Sequence, residues 1–300
     1  MFNVYEQVDR NKRRSAFIMV LFVVFITLII WLLAKSLGYG PGIVGVALII
    51  SGLMSFASYW WSDKIILTIS GARPATKKAD FQFFTVAENL SLASQIPMPK
   101  LYVIEDSAPN AFATGRDINH AVICATRGLL DKLNRTELEG VIAHEISHIR
   151  NYDMLLMSVV TILVGMVVLI SDWFNRSLWF GNHSKGRDDN GSGAVIFFIG
   201  IFLALISPLV AKLIQLSISR KREFLADASA AMLTRYPDGL IKALEKIAVD
   251  KEPLEAANKA TAHLYIMSPF KGEQAKFWLV NLFNTHPPVE ERIKALRGII

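Results

Sequence analysis

His144-Glu145-Ile146-Ser147-His148 is the stretch on which the reading of this 300-residue chain turns. On a helix, residues four apart share a face, so His144 and His148 can grip one Zn²⁺ between their imidazoles, with Glu145 beside them as a carboxylate able to move a proton. The chain holds six histidines, enough for such a match to arise by chance, so its companions decide. The principal companion is Glu223-Phe224-Leu225-Ala226-Asp227, in which Glu and Asp again stand four apart. Glu223 can then reach the metal while Asp227 reaches a ligand histidine.

Two histidines, one glutamate and a water make a catalytic zinc sphere with an open position, which points to one Zn²⁺ per chain and to metal-assisted hydrolysis of a peptide bond. The competing reading makes Glu223 and Asp227 solvated acids that pair with Arg220, Lys221 and Arg222.

Outward from the motif, the composition is unlike that of a soluble domain. Hydrophobic residues make up 52% of the chain, charged residues 19%, and the mean hydropathy is +0.37. Four apolar runs are long enough to cross a bilayer: Phe17 to Ala34, Pro41 to Trp61, Met154 to Ser171, and Ala194 to Ser219 with only Lys212 near its end. The first run follows Arg10, Lys12, Arg13 and Arg14 as the core of a cleaved leader does. It is longer than such a core, no small-x-small site follows, and a second run begins at once, so a retained hairpin is the expectation.

Basic residues cluster before the first run, after the second (Lys64, Arg73, Lys77, Lys78) and after the fourth (Arg220, Lys221, Arg222). By the positive-inside rule both termini and the motif face the cytoplasm, and the loop 172–193 faces outward. The chain then divides into an N-terminal transmembrane hairpin (1–61), a first part of a cytoplasmic catalytic domain with the His-Glu-x-x-His helix (62–153), a second transmembrane hairpin (154–219) and a second part with the Glu-x-x-x-Asp helix (220–300).

The net charge of +6 is accounted for by this topology and by an anionic leaflet. No basic stretch is interleaved with aromatics on one soluble face, so a nucleic-acid partner is excluded. The single Cys124 allows no internal disulfide.

Between the second and third runs, Asp80 to Gln95 has helical spacing and ends before Pro97 and Pro99. Lys100 to Glu105 alternates as a strand, and Asn110 to Thr114 and His120 to Ala125 flank the turn Gly115 to Asn119 as hairpin arms, which predicts a small antiparallel sheet. The arm through Asn110, Ala111, Phe112 and Ala113 is the candidate edge for an extended substrate held by main-chain hydrogen bonds, and equally reads as a plain structural strand. Thr136 and Glu139 fit a capping box that starts the motif helix. The two motifs are 75 residues apart, but the paired third and fourth spans bring Glu223 back to the histidines.

The tail reads as helical, with Leu240, Ala243, Leu244 and Ile247 on one face and a last helix from Pro288 to Arg297. On spacing alone, His286 before the Pro287-Pro288 pair reads first as a surface residue fixing a turn. His120, His183 and His263 lack ligand spacing.

Taken together, the His144–His148 signature, the Glu223-x-x-x-Asp227 pair, Asn110-Ala-Phe-Ala-Thr-Gly115 and His286-Pro-Pro288 resemble the HtpX-type heat-shock membrane metalloproteases, over essentially the whole chain and in the family's order. The resemblance implies a fold that is mainly α with a small antiparallel β-sheet, comprising four transmembrane helices and a cytoplasmic gluzincin-like zinc-peptidase domain. It implies a zinc endopeptidase of the bacterial inner membrane, related to the CAAX prenyl endoproteases, that acts on misfolded membrane proteins in quality control and the stress response. His144, His148 and Glu223 are then zinc ligands, Glu145 the catalytic base, Asp227 the partner of a ligand histidine and His286 an oxyanion stabiliser.

Three other classes compete. An intramembrane zinc protease carries the motif within a span, but here the motif precedes its span. A zinc transporter needs ionisable residues at membrane depth, which these runs nearly lack. A proteolytically inactive membrane chaperone or adaptor has no use for an intact Glu145.

Overall fold

The computed structural model describes residues 4–36, 40, 42–165, 220–257, 261–269 and 287–299. The third apolar run beyond residue 165, the loop 172–193, the fourth run, His183 and His286 lie outside the described residues.

The first two apolar runs form α1 (Val4–Ser36) and α2 (Gly42–Trp60). They pack antiparallel, with Thr27 Oγ1 and Ser51 Oγ 3.5 Å apart and the Ser55 hydroxyl 3.5 Å from the Met19 carbonyl. Among the described residues no single helix is long and apolar enough to cross a membrane. The stretch Val44–Trp60 of α2 together with α3 (Ser62–Ile69), bent 82° from it, has the length and composition to do so.

A four-stranded sheet follows: β1 (Arg73–Pro74), β2 (Lys100–Ile104), β3 (Ala111–Thr114) and β4 (Val122–Thr126), in the spatial order β1-β2-β4-β3. The sheet is mixed, which corrects the antiparallel expectation. β3 and β4 form the antiparallel hairpin foreseen around the Gly115 turn, but β4 returns between β3 and β2 and so runs parallel to β2, with Leu101 opposite Ile123. Alternation along a strand fixes which face a side chain takes and says nothing of the neighbour's direction.

A parallel pair is stable where both faces are covered. Leu101, Val103, Ala111, Ala113, Ile123 and Ala125 pack in one core with α4 (Phe81–Ser94) and α6 (Arg135–Arg150). Ile104, Phe112, Val122 and Cys124 pack in another with Ile66, Met157, Leu264 and Tyr265.

After α5 (Arg127–Lys132), α6 is opened by Asn134 and not by Thr136. The Asn134 side chain accepts from the Glu137 N–H at 3.0 Å, and the Glu137 carboxylate accepts from the Asn134 N–H at 2.9 Å. This is the reciprocal box two residues earlier than the Thr-x-x-Glu spacing suggested. Thr136 instead donates to Asn134 Oδ1, and Glu139 pairs with Arg135.

α6 leads into α7 (Asp153–Gly165), whose Leu155, Leu156, Val159, Val160 and Leu163 pack on Ile18, Phe22 and Ile26 of α1. The remaining helices are α8 (Arg220–Thr234), α9 (Pro237–Val249) and α10 (Val289–Arg297).

α6 and α9 cross with almost no gap. A Cβ on Gly140 would lie 2.5 Å from the Leu240 nitrogen, and one on Gly239 would lie 2.5 Å from the Thr136 carbonyl oxygen. Gly140→Ala therefore pushes two backbones apart and lowers stability by about 1–3 kcal/mol. Thermal unfolding of the detergent-solubilised protein checks this, and an unchanged Tm would show that the crossing yields.

Candidate metal centre

α6 presents His144 and His148 one turn apart, and α8 brings Glu223 to face them. The three pairs of donor atoms lie at 3.1 Å (His144 Nε2 to His148 Nε2), 3.7 Å (His144 Nε2 to Glu223 Oε2) and 3.5 Å (His148 Nε2 to Glu223 Oε1). All three side chains are buried, and their donor atoms lie within 4.8 Å of one another. Ligands about 2.0–2.2 Å from a tetrahedral Zn²⁺ sit about 3.3 Å from each other, and this cluster, in which each Glu223 oxygen leans toward one histidine, is compact enough to close on such an ion. A set of two nitrogens and one oxygen suits a borderline transition metal better than Ca²⁺ or Mg²⁺, which take oxygens.

Each histidine is turned by a carboxylate on its far nitrogen. His144 Nδ1 is 2.9 Å from Asp227 Oδ1, and His148 Nδ1 is 3.3 Å from Asp153 Oδ2. Such a bond puts the proton on Nδ1 and leaves the Nε2 lone pair facing the metal position.

Each carboxylate has its own arginine. Arg292, wholly buried on α10, grips Asp227 at 2.8 and 2.6 Å and donates to the Ile266 carbonyl at 3.0 Å. Arg222 of α8 reaches Asp153 at 3.0 Å. Each of these pairs sets a buried carboxylate against a buried guanidinium beside the ligand histidines.

Burial and these partners set the titration. Burial pushes His144 down to about 4, with Arg292 adding to the effect and Asp227 opposing it. Burial also works against a charged His148, but its hydrogen bond to Asp153 and the nearby Glu223 outweigh it and lift the imidazole to about 9, so metal binding there displaces a proton from Nε2. Burial lifts Glu145 to about 7, opposed by His148 and by the nearby Ala113 backbone. Asp227 would be raised by burial, yet Arg292 holds it down to about 2.

The sequence-selected residues thus come together as two histidines, two glutamates and Asp227. Glu223 and Asp227 are not solvated acids, since both are buried against the histidines, and Arg222 turns to Asp153 instead. His120 stays at the surface with Asp117, and buried His263 meets Thr161, so neither joins the cluster.

Sequence reading missed Arg292 and Asp153. Arg292 could have been noticed as a lone charge on the stripe that includes Val289 and Leu296 of the last helix. Asp153 stands five residues after His148, off the helical spacing, because the chain turns at Tyr152 with φ 55°.

β3 is an edge of the sheet, as expected, but its outward groups are largely taken. Ile266 N–H donates to the Ala111 carbonyl at 2.9 Å, and the Asn110 side chain donates to the Met267 carbonyl at 3.0 Å. Ala113, the next outward-facing residue of β3, has its backbone near the Glu145 carboxylate.

Comparison with known proteins places this geometry. The sequence model of Peptidase family M48 matches residues 78–300. A protease HtpX homolog of Dictyoglomus thermophilum is 42% identical over 296 residues, covering 99% of this chain and 95% of that protein. One of Thermoanaerobacter pseudethanolicus is 44% identical over 299 residues, covering 99% and 98%. Among solved structures, Ste24p of S. mikatae aligns with a TM-score of 0.45 at 20% identity, covering 96% of this chain and 66% of that one. The buried donor set lies inside the matched region, the relatives align from end to end, and the chain belongs to Peptidase family M48, as a metalloprotease.

Proposed function

We propose that this chain is a zinc-dependent endopeptidase of the bacterial inner membrane that cuts misfolded or damaged membrane proteins on the cytoplasmic side. The observation that carries the zinc reading is the buried cluster of His144, His148 and Glu223, whose ligand atoms lie within 4.8 Å of one another, close enough to share one ion. Zinc held there supplies a Lewis acid for the scissile carbonyl and a water acidic enough to ionise near pH 7.

The chain's own groups do the rest. The Glu145 carboxylate, buried beside the ligand histidines, accepts a proton from the attacking water and returns it to the departing amine nitrogen. Asp227 and Asp153 keep both imidazoles in the ligating orientation. Edge strand β3 leaves Ala113 as its place for an extended chain, since Met267 and Ile266 occupy the edge at Asn110 and Ala111 and Phe112 is packed inside. His286, placed just before α10, is the candidate donor to the oxyanion.

Support for a membrane setting comes from α1 and α2. Phe17, Val20, Val24 and Leu28 line one exposed face of α1, and Ile49, Leu53 and Phe56 are exposed on α2. An apolar stripe of this length suits lipid better than water. The charge pattern supports a cytoplasmic amino terminus, and the third and fourth runs complete four spans.

The reading is tested with the full chain in detergent, stripped of metal by a chelator and then given Zn²⁺. Casein cleavage is absent in the stripped protein and returns with about one equivalent of zinc per chain. Cleavage that persists without metal overturns the zinc reading. Zinc flux in proteoliposomes without proteolysis would favour a transporter, and binding of unfolded protein without cleavage a chaperone.

A further inference from the structure

Asn11 lies in the N-terminal helix, 137 positions before His148, yet it is buried to 1% exposure among the groups that support the metal site. Both ends of its amide are used. Nδ2 donates to Asp153 Oδ1 at 2.8 Å and to the Asn151 carbonyl at 2.9 Å, while Oδ1 accepts from Arg222 Nη1 at 3.2 Å. Two acceptors on one side and a guanidinium donor on the other leave one orientation for the amide. Asp153 Oδ1 is thus held by Asn11 and Arg222, and Oδ2 is left to take the His148 ring nitrogen.

We propose that Asn11 is a positioning residue for the metal site: through Asp153 it fixes the His148 imidazole, so that docking of α1 sets the affinity of the site for its metal. This rests on the metal reading above. The contacts form one chain from α1 through the start of α7 to α6, and α8 closes it with Arg222 beside the ligand Glu223. α1 is fastened to this place by Ile18, Phe22 and Ile26 against α7. Leucine at position 11 fills the same volume but donates nothing, which leaves Asp153 held by Arg222 alone and less firmly set toward His148.

Zinc affinity of the full-length protein in detergent, measured by competition with a chromophoric chelator, tests this without reference to activity. Asn11→Leu weakens zinc binding about tenfold, and Asp153→Asn by about 10–100-fold, as for groups that orient a ligand histidine. The double variant binds as Asp153→Asn alone, because Asn11 acts only through that carboxylate. Should Asn11→Leu fail to fold, Asn11→Ala removes the amide with less crowding and gives the same test.

Wild-type affinity in a folded Asn11 variant, or an effect that adds in full to that of Asp153→Asn, overturns the proposal. Glu223→Ala is the reference. If it leaves zinc affinity unchanged, the metal reading itself falls and this proposal falls with it, whereas a large loss there with no Asn11 effect refutes this proposal alone.

Discussion

Glu145→Gln keeps its zinc and loses casein cleavage by about 10³-fold, within the range found when a general base is removed. The side chain is 2% exposed and glutamine has the same shape, so the packing is not disturbed. Only proton transfer is lost, because an amide oxygen cannot carry the proton from water to amine at neutral pH. Burial matters to the base as well as to its replacement, since it raises the carboxyl above its ordinary range and so favours taking up the proton from water. Zinc content by elemental analysis should equal that of the wild type. Cleavage above about a tenth of the wild-type rate would remove Glu145 from the role of base.

Arg292→Met lowers stability by about 3–5 kcal/mol, since it leaves Asp227 charged and buried without its partner. Methionine nearly fills the space, so the loss is electrostatic and not that of a cavity. Thermal unfolding with chelator present should show a drop of about 10 °C or more. A second variant separates stability from metal binding. Replacing the pair together, as Arg292→Met with Asp227→Leu, removes both charges and restores most of the stability. Zinc affinity then remains about 10–100-fold weaker, because His144 Nδ1 has no acceptor to hold its ring. Recovery of both properties at once would show that Asp227 packs the core without orienting the histidine.

The site was readable where its chemistry repeats at helical spacing. His144 with His148, and Glu223 with Asp227, are four-residue pairs, and geometry on a helix makes each pair a face before any fold is known. Arg292, Asp153 and Asn11 were not readable as partners, because each meets the site across a turn or from another helix and no local period marks them. The sheet divides in the same way. The β3–β4 hairpin around Gly115 follows from local turn chemistry, where φ of 134° suits glycine alone. The parallel pairing of β2 with β4 depends on where a crossover lays the chain down.

What the sequence determined by itself was the donor inventory, the helix faces that carry it and the apolar runs that flank it, since hydrogen-bond periodicity and hydropathy act over a few residues at a time. What only the tertiary structure decided was which charges neutralise which. Arg292 chose Asp227, Arg222 left its neighbouring glutamate for Asp153, and Asn11 came in from the far end of the chain. Inside a low-dielectric core a buried charge must find its counterpart in space, whatever its distance along the chain, and that search is settled only when the helices pack.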